Sequence, residues 1–238
     1  MLQQIVSDYA RMFSYFNIIF LLQAAATTLA LTFAGSSIGL TLGFSLAAMR
    51  QTRSVLWMPL RSLAILFSEL FRRIPFIVTL FLVLFSSQAA GFDLPFFVLA
   101  LISVSIISTA YLAEVFRAGF QSVSTQQIEA AEVLNFPGYK ILLSITLPQA
   151  WKVVLPAAIA FMVSLVKDTA LASQLGVVEL SFAGKVLITR GFSSLSVYAI
   201  ILAGYFAMSY PLALLGKYLE ARLSAHKSLP QARATPPT

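Results

Sequence analysis

The chain has 238 residues, of which 59% are hydrophobic and only 11% charged. A soluble domain averages about 25% charged, so most of this surface has no water to face, which disfavours a soluble globular protein. The absence of cysteine excludes disulfides, thiolate metal sites and cysteine nucleophiles, and the net charge of +7 in so apolar a chain reads as basic loops beside a membrane rather than as a nucleic-acid surface.

A bilayer crossing needs about 20 apolar residues. The first run, 18–49, carries no basic residue and is far longer than the apolar core of a signal peptide, so it is read as a retained crossing. It follows an N-terminal segment, 1–17. The second run, 55–88, is too long for one perpendicular helix, because roughly 34 residues would reach about 51 Å. Pro75, after Arg72 and Arg73, is placed to break or kink it, with the part holding Arg61 and Glu69 tilted or along the interface. Further crossings are predicted at 95–116, 149–166 and 195–219, and residues 224–238 form a polar, proline-rich tail read as disordered. The expectation is an all-α integral membrane protein of about five crossings over residues 18–223.

Basic residues orient it. With the N-terminus outside, inner segments hold Arg50, Arg53, Arg117, Lys140, Lys152, Lys217, Arg222, Lys227 and Arg233, against Arg11, Lys185 and Arg190 outside. That bias favours N-out, C-in. The long outer connection after 171 is expected to re-enter the protein in part, since irregular backbone at depth needs protein or a water cavity to cover it.

Between the third and fourth crossings, at about 119–150, the chain breaks off into charged helical pieces. Thr125 is placed to cap a helix with Glu129 in its first turn. Ile128, Ala131 and Leu134 form a small apolar stripe beside Ala130. Asn135 stands where the helix ends, in a position that tolerates a left-handed conformation. Pro137 and Gly138 suit the centre of a type II turn, and helix resumes from 139. The unit reads as helix, tight turn, helix. Pattern alone leaves two readings open: a helix that seats in a groove of a partner, or an amphipathic loop on the membrane.

Charged residues within apolar spans are rare and functional by default. The candidates for a substrate path are Glu69, Arg72, Glu114, Lys167, Asp168, Thr169 and Glu179, with Arg73 and Arg117 beside them. Each has a structural alternative. Glu114 and Arg117 are three apart and suited to pair; Lys167 and Asp168 are suited to pair with Glu179 or Glu69; Arg72 and Arg73 are suited to snorkel to headgroups. Both signs are present, which fits a zwitterionic amino acid and equally fits internal ion pairs. No G-x-x-x-x-G-K-[ST] loop occurs, and the single histidine, His226, lies in the tail. The chain is therefore not read as an ATPase or as an enzyme, and no metal or cofactor site is assigned to it.

The stretch EAAEVLNFPGYKILLSITLPQA (129–150) resembles the EAA loop of ABC importer permeases. AYLAEVFRAGFQSV (110–123), FRRIPFIVTLFLVLF (71–85), LVKDTALASQLGVVEL (165–180) and LLQAAATTLALTF (21–33) resemble the polar-amino-acid branch of that family. The resemblance implies a bacterial inner-membrane permease whose loop, through Glu129, Ala130, Ala131, Asn135 and Gly138, couples to a separate ATP-binding subunit. It implies a second permease chain, identical or paralogous, two ATP-binding subunits that hold ATP and Mg²⁺, and an extracytoplasmic binding protein that delivers a small polar substrate. Asn135 stands where the family usually has glycine, and Ala170 where it often has serine after Lys-Asp-Thr. The rival readings are a secondary transporter, a class often built from inverted repeats, an importer of another small polar solute, or a membrane enzyme.

Overall fold

The computed structural model describes residues 12–51 and 55–224. The extracytoplasmic reading of residues 1–11, the inner placement of Arg53, and the tail 225–238 with His226 lie outside the described residues. Every described element is helical: α1 (Tyr15–Gln51), α2 (Met58–Arg73), α3 (Phe76–Ala89), α4 (Phe96–Gln121), α5 (Thr125–Val133), α6 (Leu147–Asp168), α7 (Leu180–Thr189) and α8 (Ser194–Ser224). By length and composition, four stretches can cross a membrane, and the bent pair α2–α3 makes a fifth.

The α1–α4 pair is the spine. Along one face α1 buries Ala24, Thr28, Leu31, Thr32, Gly35, Ser36, Gly39, Gly43 and Ala47, at spacings of three and four. Small side chains let two backbones approach closely, which is how helices associate where lipid removes the hydrophobic drive. The approach is tight: a Cβ on Gly39 would stand 2.8 Å from the backbone carbon of Ser108, and one on Gly43 2.8 Å from the amide of Ala113. Buried hydroxyls turn back on their own helices, Thr32 to the Thr28 carbonyl at 2.9 Å, Ser103 to Leu99 at 2.8 Å and Thr109 to Ser105 at 2.7 Å. They are thereby satisfied without water.

The second crossing is broken rather than merely kinked. Ile74, preceding Pro75, is extended (φ −87°, ψ 134°), and α2 and α3 diverge by 116°. Proline clashes with a helical predecessor, so the helix must stop there. The 14 residues of α3 reach about 21 Å, short of a hydrocarbon core of about 30 Å.

The fourth crossing is longer than 149–166. Helical backbone runs from Gly138 to Leu175, with a wider π-helical segment at Ile141–Thr146 just ahead of Pro148. Pro148 has no N–H to donate to the Ser144 carbonyl and its ring crowds that turn. The widened turn absorbs the conflict, so the helix continues through a residue that the sequence suggested as an entry point.

After Gly176, in the left-handed conformation (φ 94°), the chain turns back and α7 lies along the first half of α1. The Leu180 amide donates to Thr28 Oγ1 at 3.2 Å, and Arg190 donates to Asn17 Oδ1 at 3.2 Å while its guanidinium covers the Phe20 ring. Leu180, Ala183, Gly184 and Leu187 are buried, so this connection is covered by protein. The last helix, α8, buries little of its apolar surface against the chain.

Candidate functional site

The loop 119–150 sits at the end of the bundle that carries Arg50 and Arg117. Its first helix begins at Thr125 with Ser124 as N-cap, and no side chain caps it. The Thr125 hydroxyl comes one residue late, because the turn out of α4 is closed by Ser122, which donates to the Gly119 carbonyl at 2.7 Å. Asn135 is left-handed (φ 59°). Its amide donates to the Glu132 carbonyl at 2.9 Å, and the Phe136 amide to the Ala131 carbonyl at 3.0 Å. These two bonds make a Schellman stop with asparagine where glycine is commoner.

The type II turn at Pro137–Gly138 does not form. The reversal is already complete at Asn135, so Pro137 (φ −67°, ψ 145°) opens the next helix and its carbonyl accepts from Lys140 and Ile141. Gly138 is simply the first residue of that helix.

Exposure divides the loop residues. Glu129, Ala130, Asn135 and Gly138 are exposed. Ala131 is only 4% exposed, on the side of α5 that packs against the π segment. Its small side chain serves the seat of α5 on its own chain rather than facing outward. The outward apolar surface is instead Val133 (86% exposed), Leu134 (72%), Phe136 and Tyr139. Gln149 on α6 donates to Gln127 on α5 at 2.7 Å and fastens the loop to the foot of that helix. A cavity of about 860 Å³ lies beneath, lined by Met49, Trp57, Phe120, Ile128, Glu132 and Tyr139 among others.

The charged candidates fall into separate places. Glu114 is a hub. Arg117 Nε donates to both its oxygens at 2.9 Å, and Arg117 Nη2 also contacts it. Arg72 Nη1 stands 3.4 Å and Arg50 Nη1 3.5 Å from Glu114 Oε2. Glu69 pairs with Arg73 at 2.8 Å and Arg72 at 3.6 Å. Three helices are thus pinned at the basic end, and Glu69, Arg72 and Glu114 engage one another. The Glu114–Arg117 pair is the one sequence spacing anticipated; Arg50 and Arg72 reach it only through the fold.

Lys167 and Asp168 do not pair with Glu69 or Glu179. Both are exposed at the far end of α6, and among the described residues neither has an ion pair at salt-bridge distance. Thr169 is buried and donates to the Val166 carbonyl at 2.8 Å. Glu179 is 0% exposed. It caps α7 by accepting from the Phe182 amide at 2.8 Å, and it accepts from the Tyr205 hydroxyl at 2.7 Å. Both its oxygens are engaged, so its position is that of a structural link between α7 and α8. Sequence reading missed Tyr205, which is one of eight tyrosines and carries no spacing signal.

Residues 39–225 match the family described as binding-protein-dependent transport system inner membrane component. A probable glutamine ABC transporter permease protein, GlnM, of Bacillus subtilis (strain 168) is 32% identical over 76% of this chain and 83% of its own. The arginine transport system permease protein ArtQ of the same organism is 29% identical over 87% and 94%. Among solved structures, a crystal structure of an amino acid ABC transporter with histidines superposes with a TM-score of 0.79 at 29% identity, covering 86% of this chain and 94% of that one. The methionine transporter MetNI in an inward-facing form shares the fold, with a TM-score of 0.76 at 19% identity. With most of its length matched and its helices superposing on such permeases, this chain belongs to the family of inner membrane components of binding-protein-dependent transport systems.

Proposed function

We propose that this chain is the translocating permease of an ATP-driven importer for a polar amino acid, in a bacterial inner membrane with the N-terminus outside and the loop 119–150 in the cytoplasm. The observation that carries the reading is the exposed tip Val133–Leu134–Phe136, held on a short helix whose own seat, Ala131 and Gln127, is fixed to the foot of α6. An apolar tip on a rigid stalk suits a groove on a partner, and family membership supports a separate ATP-binding subunit, holding ATP and Mg²⁺, as that partner in this reading. A second permease chain, two ATP-binding subunits and an extracytoplasmic binding protein complete the machine.

In this reading, ATP-driven closure of the ATP-binding subunits draws the loops together. The pull reaches α6 through the continuous helix 138–175, and the bundle exchanges inward-open for outward-open. The binding protein then delivers substrate. Amino acids are the substrate class because the relatives named for a substrate carry glutamine or arginine in their names. Lys167 and Asp168 offer one cation and one anion for the two ends of a zwitterion.

Leu134→Asp tests the docking. With the ATP-binding subunit coexpressed, the variant should insert normally but copurify poorly and lose uptake in proteoliposomes supplied with the binding protein. Full copurification and uptake by that variant would overturn the reading.

A further inference from the structure

At the basic end, between α1, α2 and α4, lies a small cavity of about 180 Å³. That is the liquid volume of about six waters. Arg50, Arg61 and Arg117, with Gln51 and Gln121, form its polar lining, and the lining holds no carboxylate. Arg50 Nη1 is buried without a hydrogen bond, with Glu114 Oε2 3.5 Å away as its ion-pair partner. Arg61 has no ion pair at salt-bridge distance among the described residues. In the surrounding network, four arginines (50, 72, 73 and 117) pair with two glutamates (69 and 114), leaving two positive charges in excess, and Arg61, outside these pairs, adds a third beside it.

Helix α2 brings a second feature. On the side opposite Arg61 it exposes Leu63, Leu66 and Leu70, at spacings of three and four. A helix with an apolar stripe on one side and arginines on the other lies in the plane of a membrane interface, its stripe among the acyl chains. Basic pockets between helices at that level suit anionic headgroups. The 116° bend at Pro75 is what turns α2 away from the crossing direction of α3 and sets the two features side by side.

We infer that this cavity binds the phosphate of an anionic phospholipid of the inner leaflet, with Arg50, Arg61 and Arg117 as its donors and the leucine stripe of α2 beside its acyl chains. The inference rests on the orientation proposed above. Arg50 and Arg117 are already held toward Glu114, and Arg117 Nη1 donates to Gln121 Oε1 at 2.6 Å, so the phosphate takes up only their remaining N–H groups, while Arg61 supplies the uncommitted charge. Lipid occupancy would tie α2 to the ends of α1 and α4 beside the coupling loop.

The test is lipid binding to the full-length chain in detergent, read by native mass spectrometry with phosphatidylglycerol, phosphatidylcholine or inorganic phosphate added. One phosphatidylglycerol per chain should be retained in preference to phosphatidylcholine. Arg61→Gln should weaken that binding about fivefold, the worth of one arginine at a lipid surface. Arg73→Gln removes the same charge from a largely exposed side chain outside the cavity and should change it little. Equal retention of the two lipids, equal losses in the two variants, or complete displacement by inorganic phosphate would each overturn the site. Binding is read without ATP, binding protein or substrate, so a negative result leaves the transport reading untouched.

Discussion

Gln149 and Gln127, 22 residues apart, meet side chain to side chain at 2.7 Å, and the same Gln149 nitrogen reaches the Ile145 carbonyl at 3.1 Å. This contact joins the short helix of the loop to the foot of α6. Gln149→Ala should cost about 0.5–1.5 kcal/mol or less, the net worth of a neutral hydrogen bond, so the melting temperature should hardly move. Coupling should suffer more: more ATP hydrolysed per amino acid taken up in proteoliposomes. An unchanged ratio would show that the contact carries no force.

Ala130 and Ala131 are adjacent and about 100° apart around the helix, but one is exposed and the other buried, so they should respond differently. Ala131→Trp overfills a buried site at a cost of about 1–3 kcal/mol, and should lower the melting temperature of the purified chain. Ala130→Trp should leave melting unchanged and impair copurification of the ATP-binding subunit. The reverse pattern would mean that the helix is seated by its other face.

Asn135 holds a left-handed backbone at φ 59°. Asn135→Ala should destabilise by roughly 1–2 kcal/mol, the penalty for an ordinary residue there, and Asn135→Gly should be at least as stable as the native chain. Thermal melts of the three proteins side by side decide it.

Tyr205→Phe removes the hydroxyl that donates to the buried Glu179. Leaving a buried hydrogen-bonding group without its partner costs about 1–3 kcal/mol, so melting should fall, with uptake per folded complex preserved. Normal melting with failed uptake would instead place Glu179 in the transport path.

Asp168→Asn should show the opposite signature. The carboxylate is exposed and makes no ion pair at salt-bridge distance among the described residues, so folding should be indifferent while uptake in proteoliposomes falls. A large drop in melting temperature with unchanged uptake per folded complex would make Asp168 structural.

Local signals were the legible ones. The apolar runs, the break at Pro75, the left-handed stop at Asn135 and the Glu114–Arg117 pair each depend on residues within a turn or two of one another. The misplaced features depend on competition. Pro137–Gly138 has the composition of a type II turn, but Asn135 had already reversed the chain. Thr125 is a good cap residue, but the turn at Ser122 set the helix start one residue earlier. Pro148 resembles a boundary, yet the π segment before it lets one helix run through.

The sequence alone determined that this chain lives in lipid, because 59% hydrophobic residues in runs of crossing length leave no other solvent for them. Motif order also determined its family. The tertiary structure decided which charges meet. Glu114 gathers Arg50, Arg72 and Arg117 from three helices, Glu179 withdraws into a bond with Tyr205, and Lys167 and Asp168 remain outside. Which charges meet depends on the close α1–α4 contact through Gly35, Gly39 and Gly43 and on the 116° bend. Neither a glycine spacing nor a single proline states which distant side chain will arrive at hydrogen-bonding distance.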